Sequence, residues 1–159
     1  MSTPLQGIRV VDWTIWQQGP VATAMLADMG AEVIKVEERE RGDPGRGAMP
    51  VWRDQFGINS DVNFYFENNN RHKKSIAVDL KKEAGREVVR RLVDKSDVFV
   101  QNFRKGVAAR LGLDYATLSQ RNPRLVYASA SGFGPNGPDV TQPAFDFVGL
   151  ARSGMMFDA

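Results

Sequence analysis

Gln17 and Gln18 stand in a Gln-Gln-Gly-Pro turn directly after an apolar run, where a side-chain amide could meet a carbonyl or a developing oxyanion. Taken alone, Gln17 reads first as a helix cap or a loop-bonding amide. Cationic side chains gather in two further places. Asn70-Arg71-His72-Lys73-Lys74 precedes a strand-like segment and is followed by Lys81 and Lys82, while Arg104, Lys105 and Arg110 follow the apolar run ending at Val100. One such cluster is ordinarily solvated surface. Two near strand ends point to an anionic ligand, because a charge-assisted hydrogen bond from Arg or Lys contributes about 1.5–3 kcal/mol, against about 0.3–1 kcal/mol for a helix N-terminus.

Other chemistries find less support. Gly132 to Gly137 matches G-x-G-x-x-G, but Pro135, Pro138 and the stretch to Pro143 read as turn, whereas a dinucleotide site needs that glycine pattern to open a helix. His72 is the sole histidine, so neither a Ser-His-Asp arrangement nor a histidine metal site is expected. The absence of cysteine excludes disulfides, thiolate ligands and a thiol nucleophile. Asp146, within PAFDFVGL, suits either the first turn of a helix or a site.

The elements that must position these residues follow from the pattern. Ile8 to Trp13 and Val33 to Val36 read as strands buried on both faces. Between them a helix is expected, with Pro20 at its first position, an apolar face of Ala22, Met25, Leu26 and Met29, and Gly30 as its stop. A crossover of this kind makes the strands parallel and right-handedly joined, with ligands at their carboxyl ends. Glu37 to Asn70 shows no sustained period and reads as a long excursion, whose Trp52, Phe56, Phe64, Tyr65 and Phe66 would pack down on the sheet or a partner. Strands are expected over Ser75 to Leu80, Asp97 to Val100 and Leu125 to Ala130. Helices are expected over Ala84 to Val93, Val107 to Leu111 and Tyr115 to Arg121, the last capped by Asp114. An apolar, helix-like run begins at Ala144.

The 159 residues suit one α/β domain. A formal charge of +2 makes no case for nucleic acid, and no apolar run approaches the roughly 18 residues of a membrane span. The N-terminus lacks a signal pattern, so a cytoplasmic location is the default expectation.

The order of motifs is specific. PLQGIRVVDW, QGP, LADMGAEVIKVE, GDPGRG, NNNRHKKSIAVDLKKEAGRE and DVFVQNFRKGVAARLGLDYATLSQRNPRLVYASASGFGPNGP together resemble the N-terminal part of the family III CoA-transferases, a group that includes the α-methylacyl-CoA racemases. The resemblance implies a Rossmann-like, open, mainly parallel sheet that takes coenzyme A thioester as substrate, with no separate cofactor and no metal. It implies an acyl-CoA and a carboxylic acid as partners, and an interlocked homodimer in the full-length protein. Carried over by motif, Trp16, Gln17 and Gln18 resemble the acyl-thioester pocket, with Gln17 and Asp146 as supporting catalytic residues. Val78, Lys81, Asn102, Phe103, Val107 and Arg110 match CoA contacts. Arg46, Arg71, Lys73, Lys74 and Arg104 are weaker matches.

Three departures qualify the resemblance. Glu38 replaces a CoA-contacting arginine, whose part Arg39 would have to play. Phe145 replaces the catalytic histidine of the racemases, which favours acyl transfer over proton removal. The nucleophilic aspartate of the transferases lies beyond Ala159. The expectation is therefore the N-terminal part of a large CoA-binding domain, without the small domain, inactive alone and poorly soluble. A racemase, a non-catalytic CoA-binding subunit and a nicotinamide-dependent Rossmann enzyme are the alternatives.

Overall fold

Val10, Val11 and Asp12 are wholly buried because strand β1 (Arg9–Trp13) occupies the centre of a five-stranded sheet. The structure, a computed structural model, describes residues 3–47 and 62–157. Strands β2 (Glu32–Glu38), β3 (Lys74–Val78), β4 (Val98–Gln101) and β5 (Val126–Ser129) complete the order β3-β2-β1-β4-β5. Every neighbouring pair is parallel, with Val10 opposite Val33 on one side and Val98 on the other. The expected α/β architecture is thus present, and all the strand ends that could serve a ligand point the same way.

Helices α1 (Gln18–Asp28), α2 (Phe64–Asn70), α3 (Glu83–Val93), α4 (Val107–Arg110), α5 (Tyr115–Arg121) and α6 (Asp146–Ser153) flank the sheet or extend from it. Alternation along β1 divides the core in two. Val11 and Trp13 join Val36, Val78, Val89, Val93, Phe99, Leu113 and Leu118 on the face covered by α3 and α5. Val10 joins Ala27, Ala31, Val33 and Val100 beneath α1.

Helix α1 differs from expectation. It starts at Gln18, with Pro20 as its third residue, where the missing N–H has no intrahelical partner to lose. Its buried face is Gly19, Pro20, Thr23, Ala24 and Ala27, while Met25 and Met29 are 54% and 40% exposed. The reason is proximity: a Cβ on Gly19 would stand 2.5 Å from the Thr14 side chain, so only small residues fit against β1. Gln17 precedes the helix but makes no side-chain capping bond.

The Glu37 to Asn70 excursion is not irregular throughout. β2 continues to Glu38, Pro44–Gly47 forms a 3-10 turn, and α2 follows, its first turn capped by Asn63 Oδ1 accepting from Phe66 N–H at 3.0 Å. Phe66 is buried, whereas Trp52 and Phe56 lie outside the described residues. Asp114 caps α5 as its sequence position predicts, accepting from Thr117 N–H at 2.9 Å. Asp114→Ala should cost about 1 kcal/mol in urea denaturation. An unchanged midpoint would show that the cap contributes nothing.

Helix α6 buries none of its residues. Phe145, Phe147 and Phe157 around it are 63%, 74% and 90% exposed. Among the described residues, no helix is long and apolar enough to cross a membrane.

Candidate functional site

Two adjoining cavities open at the carboxyl ends of the strands. The first, about 410 Å³, is walled by apolar side chains, among them Trp13, Val36, Val78, Phe103 and Leu111, with Arg41 and Lys81 among its polar lining. Its size and lining suit a small molecule with a flat, apolar part. The second, about 710 Å³, is more polar and collects Trp16, Gln17, Gln18, Asn102, Arg104 and Asp146. Ile15, Phe103 and Val107 border both, so the two cavities meet at these three residues and are described together as one groove.

Local chemistry explains how the walls are held. After β3, Asp79 Oδ1 accepts from Lys81 N–H at 3.0 Å, and α3 packs so close to this turn that a Cβ on Gly85 would lie 2.1 Å from the Asp79 carbonyl oxygen. Gly106, at φ 85°, supplies the left-handed residue from which α4 starts, placing Val107 where the two cavities meet. Phe103 packs against Trp13, the rings tilted by 32° with centroids 4.3 Å apart. Gly132 and Phe133 wall the second cavity, and their loop is irregular, so the G-x-G-x-x-G match opens no helix here.

The turn between β1 and α1 is held by its backbone. Lys35 Nζ donates to the Thr14 carbonyl at 3.0 Å. Asn102 brackets Ile15, accepting from its N–H at 2.9 Å and donating to its carbonyl at 2.8 Å. Trp16 N–H donates to Asp43 Oδ1 at 3.2 Å, and Trp16 itself is left-handed at φ 67°, a conformation that bulky residues rarely adopt. Lys35 faces Asp43 Oδ2 at 2.8 Å as a charge contact, with both side chains almost wholly buried.

Glu37 ties the next segment to the site. Burial raises its pKa, but Arg46, Ser75 Oγ and the Asp43 N–H outweigh this and hold the carboxyl at about 2. A depressed carboxylate pKa stabilises the fold above its unfolded value and loses that contribution as pH falls through the folded value. Wild type should therefore exceed Glu37→Gln in stability at neutral pH, with the gap closing between about pH 4.5 and about 2. The gap is at most roughly 3 kcal/mol, and smaller because the half-exposed Arg46 is screened by solvent. Urea midpoints across this range check it, and a pH-independent gap would refute the assignment.

The groove gathers Trp16, Gln17, Gln18, Val78, Lys81, Asn102, Phe103, Arg104, Val107 and Asp146, all picked out in the sequence. Asp146 is also the first residue of α6, so both of its readings coexist. The remaining candidates line neither cavity. Arg46 pairs with Glu37 and covers the Phe66 ring, Arg71 pairs with Asp28, and Lys74 pairs with Glu32 at the start of the sheet. Lys73 is buried against Asp12, its Nζ donating to Asp12 Oδ2 at 2.9 Å. Arg110 is exposed at the end of α4. The cationic cluster from Arg71 to Lys74 is therefore tied to carboxylates of its own chain, with His72 exposed beside it.

Lys35 and Asp43 were not singled out in the sequence. The available signal was a charge interrupting a four-residue apolar run, Lys35 in VIKV, which requires a buried counter-charge. Among the described residues, no group of three or more histidines or carboxylates could hold a metal ion.

With this geometry in hand, the comparisons with known proteins agree on one family. The model of CoA-transferase family III matches residues 5–158. The chain is 43% identical over 153 residues to the acetyl-CoA:oxalate CoA-transferase of Acetobacter aceti, covering 96% of this chain and 38% of that protein. It is 42% identical to the succinate–glutarate CoA-transferase of Agrobacterium fabrum, with the same coverage. Among solved structures, a CAIB/BAIF family protein from Brucella suis superposes with a TM-score of 0.86 at 40% identity, over 98% of this chain and 40% of that one. Rv3272 from Mycobacterium tuberculosis gives 0.85 at 40% identity, over 96% and 39%. The chain thus spans about two fifths of the length of its relatives, and it belongs to CoA-transferase family III.

Proposed function

We propose that these residues form the coenzyme A-binding portion of an enzyme that moves CoA between an acyl-CoA donor and a carboxylic acid acceptor. The observation that carries this reading is the pair of adjoining cavities at the strand ends, with an apolar first cavity able to take a flat base and a more polar second cavity bearing amides. Arg41 and Lys81 in the first cavity supply charge for phosphates, and Arg104 does so in the second. The junction at Ile15, Phe103 and Val107 suits a narrow, partly apolar arm between them.

The reaction proceeds in four exchanges. An enzyme aspartate attacks the thioester carbonyl, forming a mixed anhydride and releasing CoA thiolate. The thiolate attacks the aspartyl carbon of the anhydride, giving an aspartyl thioester and the donor's free carboxylate. The acceptor carboxylate attacks that thioester, again releasing thiolate, and the thiolate then takes the acceptor acyl group and frees the aspartate. In each tetrahedral step the Gln17 amide donates to the developing oxyanion. Gln17 suits this role because it is exposed in the second cavity and is not consumed in capping α1. In this reading the attacking aspartate is none of the groove residues named above, and Gln17 and Asp146 only support it.

A racemase is the less favoured reading, since Phe145, with no proton to give or take, borders the cavity beside Asp146. Calorimetric titration with CoA and with NAD tests the assignment. CoA should bind and NAD should not. Binding of NAD without CoA would overturn it in favour of a nicotinamide site.

A further inference from the structure

We infer that Lys35, Asp43 and Asn102 are positioning residues that clamp the backbone of Thr14, Ile15 and Trp16, and so fix the passage from the first cavity to the second. The inference rests on the CoA reading of the groove. Four backbone polar groups on three successive residues are each taken by a side chain from elsewhere in the fold. Lys35 reaches in from β2, Asp43 from the segment after β2, and Asn102 from the segment after β4. The turn is therefore gripped from both sides of the central strand.

The grip has a strained object. Trp16 holds a left-handed backbone that an aromatic residue leaves unless its surroundings enforce it. Asp43 Oδ1 enforces it directly by accepting both the Trp16 and the Gly45 N–H groups, while Oδ2 faces Lys35. Asn102 uses both ends of its amide on Ile15, so neither end needs a ligand for satisfaction. Ile15 borders both cavities, and Trp16 and Gln17 follow it into the second. A buried ion pair such as Lys35 with Asp43 is a weak stabiliser for its desolvation cost, which favours a registering role. Lys35 lines neither cavity, so its influence on a ligand must pass through the turn.

Two probes separate the clamp from general stability. Adenosine 3′,5′-bisphosphate carries the nucleotide end of CoA and would occupy the first cavity only. Acetyl-CoA would span both. Titrated into the 159-residue chain, acetyl-CoA should bind Lys35→Met and Asn102→Ser about tenfold more weakly than wild type, equivalent to about 1.4 kcal/mol. The bisphosphate should bind all three proteins equally. Asn102→Asp, which keeps the acceptor for Ile15 N–H and loses the donor, should fall between. Parallel loss of both probes, or loss of neither, would overturn the clamp. A selective loss at Asn102 but not at Lys35 would mark direct ligand contact and overturn it too. If Lys35→Met does not fold, Lys35→Gln takes its place, removing the charge that faces Asp43 while keeping a polar head at the buried position, and the same selective loss is expected. Wild type binding neither probe would sink the CoA reading itself, a result visible before any variant is made.

Discussion

Lys73→Met should lower the unfolding free energy by about 3–5 kcal/mol, the range for breaking a buried ion pair from one side. Lys73 Nζ donates to Asp12 Oδ2 at 2.9 Å, to the Pro20 carbonyl at 2.8 Å and to Asn70 Oδ1 at 3.0 Å. Burial pulls its pKa below the usual lysine value, and the neighbouring Asp12 offsets part of that pull. Methionine would fill the space but leave the wholly buried Asp12 carboxylate to the Thr14 and Thr23 hydroxyls alone. Domains of this size are stable by about 5–15 kcal/mol, so the loss is a large share of the total. Adding Asp12→Asn should restore much of it by removing the stranded charge. A loss below about 1 kcal/mol for Lys73→Met, measured by urea denaturation, would show that the pair is not needed.

Val107→Glu should weaken CoA binding about a hundredfold, or about 2.7 kcal/mol, in the same calorimetric titration. Val107 borders both cavities and is only partly buried, so glutamate can be built there without placing a charge in the core. The carboxylate would narrow the junction and repel an anionic ligand close by. Thermal unfolding should stay near the wild-type midpoint. Unchanged affinity in a folded variant would mean that the ligand does not pass this point.

The strands were legible in the sequence because β1, β2 and β4 each contain a short, mainly β-branched apolar stretch (Val10-Val11, Val33-Ile34 and Val98 to Val100) that is largely buried in the sheet. The groove was legible through the position of its residues at strand ends and through the family motifs. Helix α2 was not, since FYFENNN spans too few residues to display a period and its cap is a lone asparagine. The buried face of α1 was missed because hydropathy favours Met25 and Met29, while contact with β1 selects small residues. Charge was the least legible feature. Arg71, Lys73 and Lys74 resemble a ligand-facing cluster in one dimension, and only the fold brings Asp28, Asp12 and Glu32 to meet them.

The sheet order also has a consequence for how the chain acquires its structure. β1 is made early and pairs with β2 soon afterwards, but its other neighbour, β4, starts at Val98, opposite Val10. During synthesis the central strand must therefore wait with one edge bare until most of the domain has emerged. Such distant parallel pairing delays loop closure and gives slow folding, with an early hairpin-free intermediate exposed to association. The central strand that anchors the site thus gains its second neighbour only after β2, beside it, already has both of its own.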